Sequence, residues 1–390
     1  MAKCKSVAEV AEFIRSIYPT NDIIPLHAPT FGEQEKTNVL ATIDSTFVSS
    51  VGRYVDQFEQ QIKAFTKTGR AVATVNGTAA LHTALYASGV RTGDLVITQP
   101  LTFVATCNAI HQLGAEPAFV DVSGETLGLC PVSLNNFLEE NCIIEGDQCV
   151  HKKTKKIIRA VVPMHTFGHP VHLDEISALC KTWHLTLVED AAESLGSYYN
   201  GQHTGSFGRY GVLSFNGNKI ITTGGGGMVL CANEQDGEHI KHITTTAKVP
   251  HAYEFYHDEP GFNYRMPNIN AALGCGQMGK LEKFLASKRA VAGLYRDFFS
   301  ASDYEFIDEP PHGQSNFWLN AVLCQDEKHK QQLLDGLIGQ GIAARPAWQL
   351  MNKLPAFASA ISAKLDIANE MQKRLLCLPS SAWSAYEKNA

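Results

Sequence analysis

The chain has 390 residues, with 33 Lys and Arg against 39 Asp and Glu, a net charge of −6, 44% hydrophobic residues and 18% charged ones. That length supports one large and one smaller domain around substantial cores, and the mildly acidic balance argues against an electrostatic grip on nucleic acid. No apolar run reaches the roughly 20 residues that span a bilayer, the N-terminus lacks a charged region leading into an apolar core, and the ten cysteines follow no disulfide spacing, so a cytoplasmic, reducing location is expected.

The first residues are weakly patterned, and Phe47-Val48-Ser49-Ser50-Val51-Gly52 reads as a segment that wraps across a neighbour or the mouth of a site. From about residue 70, short apolar runs alternate with helical spacing. The runs predict strands at 71–75, 95–98, 117–122, 157–164, 185–189, 211–215 and 227–230, and helices at 78–87, 105–113, 173–183 and 234–246. Such alternation makes an α/β fold with a mostly parallel sheet covered on both sides. Cys130, Cys142, Cys149 and His151 match no paired metal-ligand spacing and read as isolated structural residues. The cluster Lys152, Lys153, Lys155 and Lys156 reads as a solvated lead-in to a strand. Residues 267–294 keep helical spacing over a length that suits a long or broken connecting helix. A smaller α+β unit follows, with a strand at 317–324, a helix at 327–340, a loop carrying Arg345-Pro346 and a helix at 356–376. The chain is accordingly divided into 1–250 and 251–390.

Two strand ends carry the chemistry. One apolar strand ends in Glu189-Asp190-Ala191-Ala192-Glu193, and the next ends in Ser214-Phe215-Asn216-Gly217-Asn218-Lys219, followed by the glycines Gly224 to Gly227. A carboxylate on one strand end and a lysine after the next are what pyridoxal phosphate (PLP) requires: a counter-ion that keeps its ring nitrogen protonated and an amine for its aldehyde. Asp190 equally suits a helix N-cap, and a single lysine is commonly exposed. Asn76-Gly77-Thr78 lies between a strand and a helix, where backbone amides and the Thr78 hydroxyl suit a phosphate at the positive end of the helix dipole or an ordinary cap. Ser214 offers a further hydroxyl. Phe103, in the loop Pro100 to Thr106, is either core or placed to stack on a ring, since ligands of such sheets bind at the carboxyl ends of strands. A phosphate-binding loop of the ATPase kind needs its lysine after the glycines, so that reading is set aside.

On these residues the chain resembles the sugar aminotransferases of the DegT/DnrJ/StrS type, from about Pro25 to Ser381. The most specific stretches are 188–193, 214–219 with the glycines after it, and Gly261-Phe262-Asn263-Tyr264-Arg265-Met266. The resemblance implies a fold type I PLP-dependent transferase, with a large domain on the mostly parallel sheet and a small α+β C-terminal domain. It implies Lys219 as the Schiff-base lysine, Asp190 as the ring-nitrogen partner and Phe103 as the stacking residue, with Gly77, Thr78 and Ser214 on the phosphate. It also implies that Asn263 reaches the phosphate of the neighbouring subunit's cofactor in an obligate homodimer with active sites at the interface. Relatives with histidine at the lysine position are sugar dehydrases, so Lys219 implies transamination.

Within the family, Phe47 to Gly52, Ser214 to Gly227, Arg345-Pro346-Ala347-Trp348 and Cys377 to Ser381 resemble the LegC-like branch. That implies amination at C4 of a nucleotide-linked, usually UDP-linked, 4-keto-6-deoxy-N-acetylhexosamine by L-glutamate, for surface glycans of the bacillosamine, legionaminic acid or O-antigen kind. Glu193 replaces a His or Gln of other members and is a candidate contact to cofactor or sugar; Arg345 is a candidate for the substrate. Gly225 stands where many relatives have glutamate, and the sequence runs only a little past Trp383, which implies a shortened closing helix. The alternatives are the same chemistry on a GDP- or dTDP-linked sugar or at C3, and a non-catalytic PLP-binding regulator.

Overall fold

A computed structural model describes residues 5–20 and 22–382; Trp383 lies outside the described residues. Three helices come first, α1 (Val7–Ile17), α2 (Glu33–Asp44) and α3 (Arg53–Thr66). Then follow β1 (Arg70–Thr74), α4 (Gly77–Ala87), β2 (Leu95–Thr98), α5 (Val104–Gln112), β3 (Glu116–Phe119), α6 (Pro131–Asn141) and a hairpin of β4 (Cys142–Glu145) and β5 (Gln148–His151). The chain returns with β6 (Ile157–Val162), α7 (Leu173–Thr182), β7 (Thr186–Asp190), the short pair β8 (Tyr198–Tyr199) and β9 (Gln202–His203), β10 (Tyr210–Ser214) and β11 (Gly227–Cys231). Next come α8 (Glu234–Thr244), α9 (Asn268–Met278), α10 (Leu281–Phe299), β12 (Glu305–Phe306), β13 (Gly313–Gln314) and β14 (Asn320–Leu323). The last elements are α11 (Glu327–Gly339), β15 (Arg345–Pro346), β16 (Ile361–Ser362), α12 (Asp366–Arg374) and β17 (Leu375–Leu378).

A ten-stranded sheet runs in the order β1-β11-β10-β7-β6-β2-β3-β16, with the β4–β5 hairpin attached to β6. Every neighbour on the path from β10 to β16 is parallel; β11 is inserted antiparallel between β10 and β1, and β5 meets β6 antiparallel. Both faces are apolar, with the two-residue alternation of a covered strand. Val72, Val96, Val162, Val188, Val212 and Val229 share one core with Leu81, Leu85, Ile110 and Ile240 of the helices, while Leu95, Ile97, Val161 and Leu187 face the other side. No described helix is long and apolar enough to cross a membrane.

The registers position the site. Val212 pairs with Asp190, so Ser214 ends its strand two residues beyond the end of β7. Gly227 pairs with Ser214 on one side and Thr74 on the other. A Cβ at Gly227 would stand 2.4 Å from the Asn76 carbonyl oxygen and 2.7 Å from the Gly77 nitrogen. Glycine is therefore required here by close backbone approach, and that approach seats the N-terminus of α4 against the ends of β10 and β11.

A separate antiparallel sheet, β12-β14-β17-β15, packs with α1, α10 and α11 through Ile14, Val291, Tyr295, Val322, Leu333 and Leu376. Several boundaries differ from those the sequence suggests. The helical stretch 267–294 breaks at Gly279-Lys280 into α9 and α10. The strand expected at 317–324 shortens to β14, because Phe317 adopts the left-handed region (φ 47°). Arg345-Pro346 is a short strand on β17, not a loop. The helix expected at 356–376 is really β16, α12 and β17. Residues 361–362 are drawn into the large sheet beside β3. The start of α12 is capped from afar by Asp121, which accepts from the amides of Ile367 (2.9 Å) and Ala368 (2.8 Å), and Leu375–Leu378 is a buried strand whose apolar run mimics a helix face.

Gly227→Val should lower unfolding free energy by about 1–3 kcal/mol, the usual cost of overpacking. Urea denaturation checks this; an unchanged midpoint would show that the close approach is not required.

Candidate active site

A cavity of about 370 Å³ opens at the carboxyl ends of β7 and β10 and the N-terminus of α4. Its walls include Gly77, Thr78, Phe103, Asp190, Glu193, Ser214 and Lys219, so seven of the residues singled out in the sequence meet in one place. Neighbouring residues of β7 face opposite ways. Glu189 turns away from the cavity and is wholly used in the scaffold, accepting from the amides of Gly205, Phe207 and Gly208 and pairing with His165. Asp190 turns into the cavity.

The Asp190 carboxylate is buried, and burial raises its pKa above the ordinary carboxylate value. The Thr106 hydroxyl (2.7 Å), the Ala192 amide (3.2 Å) and the charge of Lys219 pull the other way. The Lys219 ammonium donates to Glu193 at 3.3 Å and lies 4.0 Å from the centre of the Trp318 ring, a cation–π contact. Glu193 is itself buried, and desolvation pushes its carboxyl up to about 7, against the pull of Lys219 and the Phe167 amide. An acid that titrates near neutrality beside a lysine is a proton-exchanging pair.

At the other end of the cavity, Asn76 caps α4 by accepting from the Ala79 amide at 2.8 Å, and the first-turn amides of Gly77 and Thr78 precede any intrahelical acceptor. A Cβ added at Gly77 would lie 3.2 Å from the Ser214 hydroxyl oxygen. Helix N-terminus and hydroxyl thus close on one anion-sized spot. Phe103, 49% exposed, presents its ring to the cavity beside Trp348.

Residues 29–388 match the DegT/DnrJ/EryC1/StrS aminotransferase family. The chain belongs to that family. It is 33% identical to EpsN of Bacillus subtilis (strain 168), provisionally named a pyridoxal phosphate-dependent aminotransferase, over 364 residues covering 92% of this chain and 91% of that one. It is also 33% identical to the GDP-perosamine synthase of Escherichia coli O157:H7, over 92% of this chain and 93% of that one. Among solved structures, Helicobacter pylori PseC, an aminotransferase involved in the biosynthesis of pseudoaminic acid, shares the fold at TM-score 0.83 and 23% identity, over 93% of this chain and 94% of that one.

This sugar aminotransferase uses PLP, and its cavity fits that cofactor: a buried acid and an amine at adjoining strand ends, an aromatic ring beside them and an anion cradle beyond. Two sequence candidates fall elsewhere. Asn263 is exposed outside the cavity, its side-chain oxygen accepting from Arg265 at 3.2 Å. Arg345 is exposed on β15 and is not among the cavity-lining residues. The sequence reading missed Thr106, Trp318 and Trp348. Neither ring nitrogen of His27 has a partner among the described residues, and its pKa lies well below the ordinary value through burial and the charges of Lys288 and Lys219.

Glu193 yields a pH signature. Its folded-state pKa of about 7 exceeds the ordinary 4.5, so the folded protein holds an extra proton between these values, and stability is lost as pH rises through that window and levels off above it. In cofactor-free enzyme, Glu193→Gln should match wild type near the bottom of the window and exceed it above the top, by up to about 3 kcal/mol at roughly 1.4 kcal/mol per pKa unit. Denaturation across pH measures the gap; a gap that stays constant would contradict the assignment.

Proposed function

We propose that this sugar aminotransferase transfers the amino group of L-glutamate to C4 of a UDP-linked 2-acetamido-2,6-dideoxy-4-keto hexose, within a pathway to a surface glycan. The observation that supports it most is that Asp190 and Lys219 line one cleft whose far end is an anion cradle. In this reading Lys219 holds the cofactor's aldehyde carbon, Asp190 its ring nitrogen, Phe103 its ring face, and Gly77, Thr78 and Ser214 its phosphate. Bound PLP supplies an electron sink for a carbon that loses a proton.

The chain's own residues do the rest. Thr106 and the Ala192 amide keep the Asp190 carboxylate oriented toward the ring nitrogen. Glu193, 3.3 Å from the Lys219 nitrogen, is close enough to exchange a proton with it. Once the donor's amino group has displaced it from the cofactor, Lys219 would be a free amine able to remove a proton from the α-carbon of the donor and to return one to C4 of the sugar. Asn263 reaches the cofactor phosphate of a second copy, and Arg345 meets the substrate only if the neighbouring segments are rearranged by its binding. A homodimer is supported by the exposed Phe47, Val48, Val51, Tyr253, Phe255 and Tyr256, large apolar side chains of the kind that a partner surface covers. The division into a cofactor-binding unit at 1–250 and a remainder at 251–390, and a cytoplasmic location, belong to the same proposal.

The UDP reading rests on the resemblance of 47–52, 214–227, 345–348 and 377–381 to the LegC-like branch. A GDP-linked keto sugar is the second reading, supported by the names of the GDP-perosamine synthases of E. coli O157:H7 and Vibrio cholerae, 33% and 32% identical.

Purified enzyme given glutamate and UDP-, GDP- or dTDP-linked 4-keto-6-deoxy sugars, with and without the N-acetyl group, should turn over the UDP-linked N-acetyl substrate with the highest kcat/KM. Higher kcat/KM on the GDP-linked sugar would replace the first reading by the second. Parallel-line, ping-pong kinetics are expected, with Lys219→Ala reducing kcat by at least about 1000-fold, within the range for a lost acid–base group. Intersecting lines, or turnover kept by Lys219→Ala, would overturn the mechanism.

A further inference from the structure

We propose that the last turn of α8 and the loop beyond it form a divalent-cation site suited to zinc, with His242, Asp258 and Glu259 as ligands and water in the remaining position. His239 and His242 stand three residues apart on α8, so their rings leave the same face. Asp258 and Glu259 return to that face from an excursion whose two limbs are bridged at Thr245 with Asn263 and at Lys248 with His257. The ligand atoms of His242, Asp258 and Glu259 all lie within 4.8 Å of one another, and His239 stands outside that group as a partner that orients Glu259, 3.1 Å away.

The atoms now meet as ion pairs, at distances that bracket a metal's coordination edges. His242 Nε2 lies 2.6 Å from Asp258 Oδ1 and 3.9 Å from Glu259 Oε1, and His239 Nε2 lies 3.1 Å from Glu259 Oε1. A tetrahedral zinc with bonds of about 2.0–2.1 Å sets its ligand atoms about 3.3 Å apart, so side-chain movements of a fraction of an ångström admit the ion without altering the backbone. One imidazole with two carboxylates favours zinc over calcium or magnesium, which call for oxygen ligands alone. The alternative is that these are ion pairs and nothing more, and such half-exposed pairs contribute little by themselves.

None of the four residues lines the catalytic cavity. An ion here fastens the excursion at its base, and the excursion carries the exposed Tyr253, Phe255 and Tyr256 and leads into Asn263. The site is therefore a stiffener of that surface, and it stands whether or not the substrate assignment holds.

Chelator-treated holoenzyme should bind one Zn²⁺ per chain by calorimetry, and Co²⁺ in its place should show the visible d–d absorption of a tetrahedral site. His242→Ala and Glu259→Gln should each weaken binding by at least about 10-fold, the loss that even an outer-shell partner produces. Glu259→Gln keeps shape and neutralises charge, and cofactor absorbance confirms that each variant is folded. Because PLP can itself chelate metals, the variants decide the matter: zinc bound as tightly by both as by wild type, or no zinc bound by wild type, leaves only ion pairs and overturns the proposal.

Discussion

The parallel pairing of β10 with β7, in a register that sets Val212 against Asp190, is the constraint on which the site depends. It ends one strand at a carboxylate and carries the next two residues further, to Ser214, before a turn in which the Lys219 amide bonds to the Asn216 carbonyl at 3.0 Å. The amine is thereby folded back over the strand ends toward Glu193 and Trp318. The antiparallel insertion of β11 completes the arrangement: Gly227, pressed between Thr74 and Ser214 with no room for a side chain, draws the start of α4 to the same rim. A slip of one residue between β7 and β10 would turn the side chains of one of them to the other face of the sheet and separate acid from amine.

Burial then makes the chemistry possible at neutral pH. Adjacent carboxylates on one strand are put to opposite uses. Glu189 is saturated by three backbone amides and His165, and serves the loop at 205–208. Among the described residues the Asp190 side chain accepts only from the Thr106 hydroxyl and the Ala192 amide, so a cationic ring nitrogen is the partner that would offset its desolvation. Glu193, with its pKa near 7, can give and take a proton beside Lys219, whereas an ordinary glutamate would remain a fixed anion there.

Much of this was legible in the sequence where it is local. The buried parallel strands announce themselves as unbroken apolar runs such as Leu95-Val96-Ile97, and the strand ends at Asp190 and Lys219 carry residue types that a plain scaffold does not need. What was not legible is tertiary. Thr106 reads as one more helix residue until the fold sets its hydroxyl 2.7 Å from Asp190, and Trp318 and Trp348 wall the cavity only because the C-terminal part of the chain lies over the large sheet. The helix expected at 356–376 failed for the same reason: its segments are divided between two sheets, and its true helix is capped by Asp121, a side chain from another part of the chain.

Reduction of the PLP-loaded enzyme with borohydride, followed by peptide mapping by mass spectrometry, tests the central claim most directly. The account predicts a phosphopyridoxyl group on the ε-nitrogen of Lys219 and on no other lysine. A label on Lys288 or another lysine, or none on a protein that holds the cofactor, would contradict it.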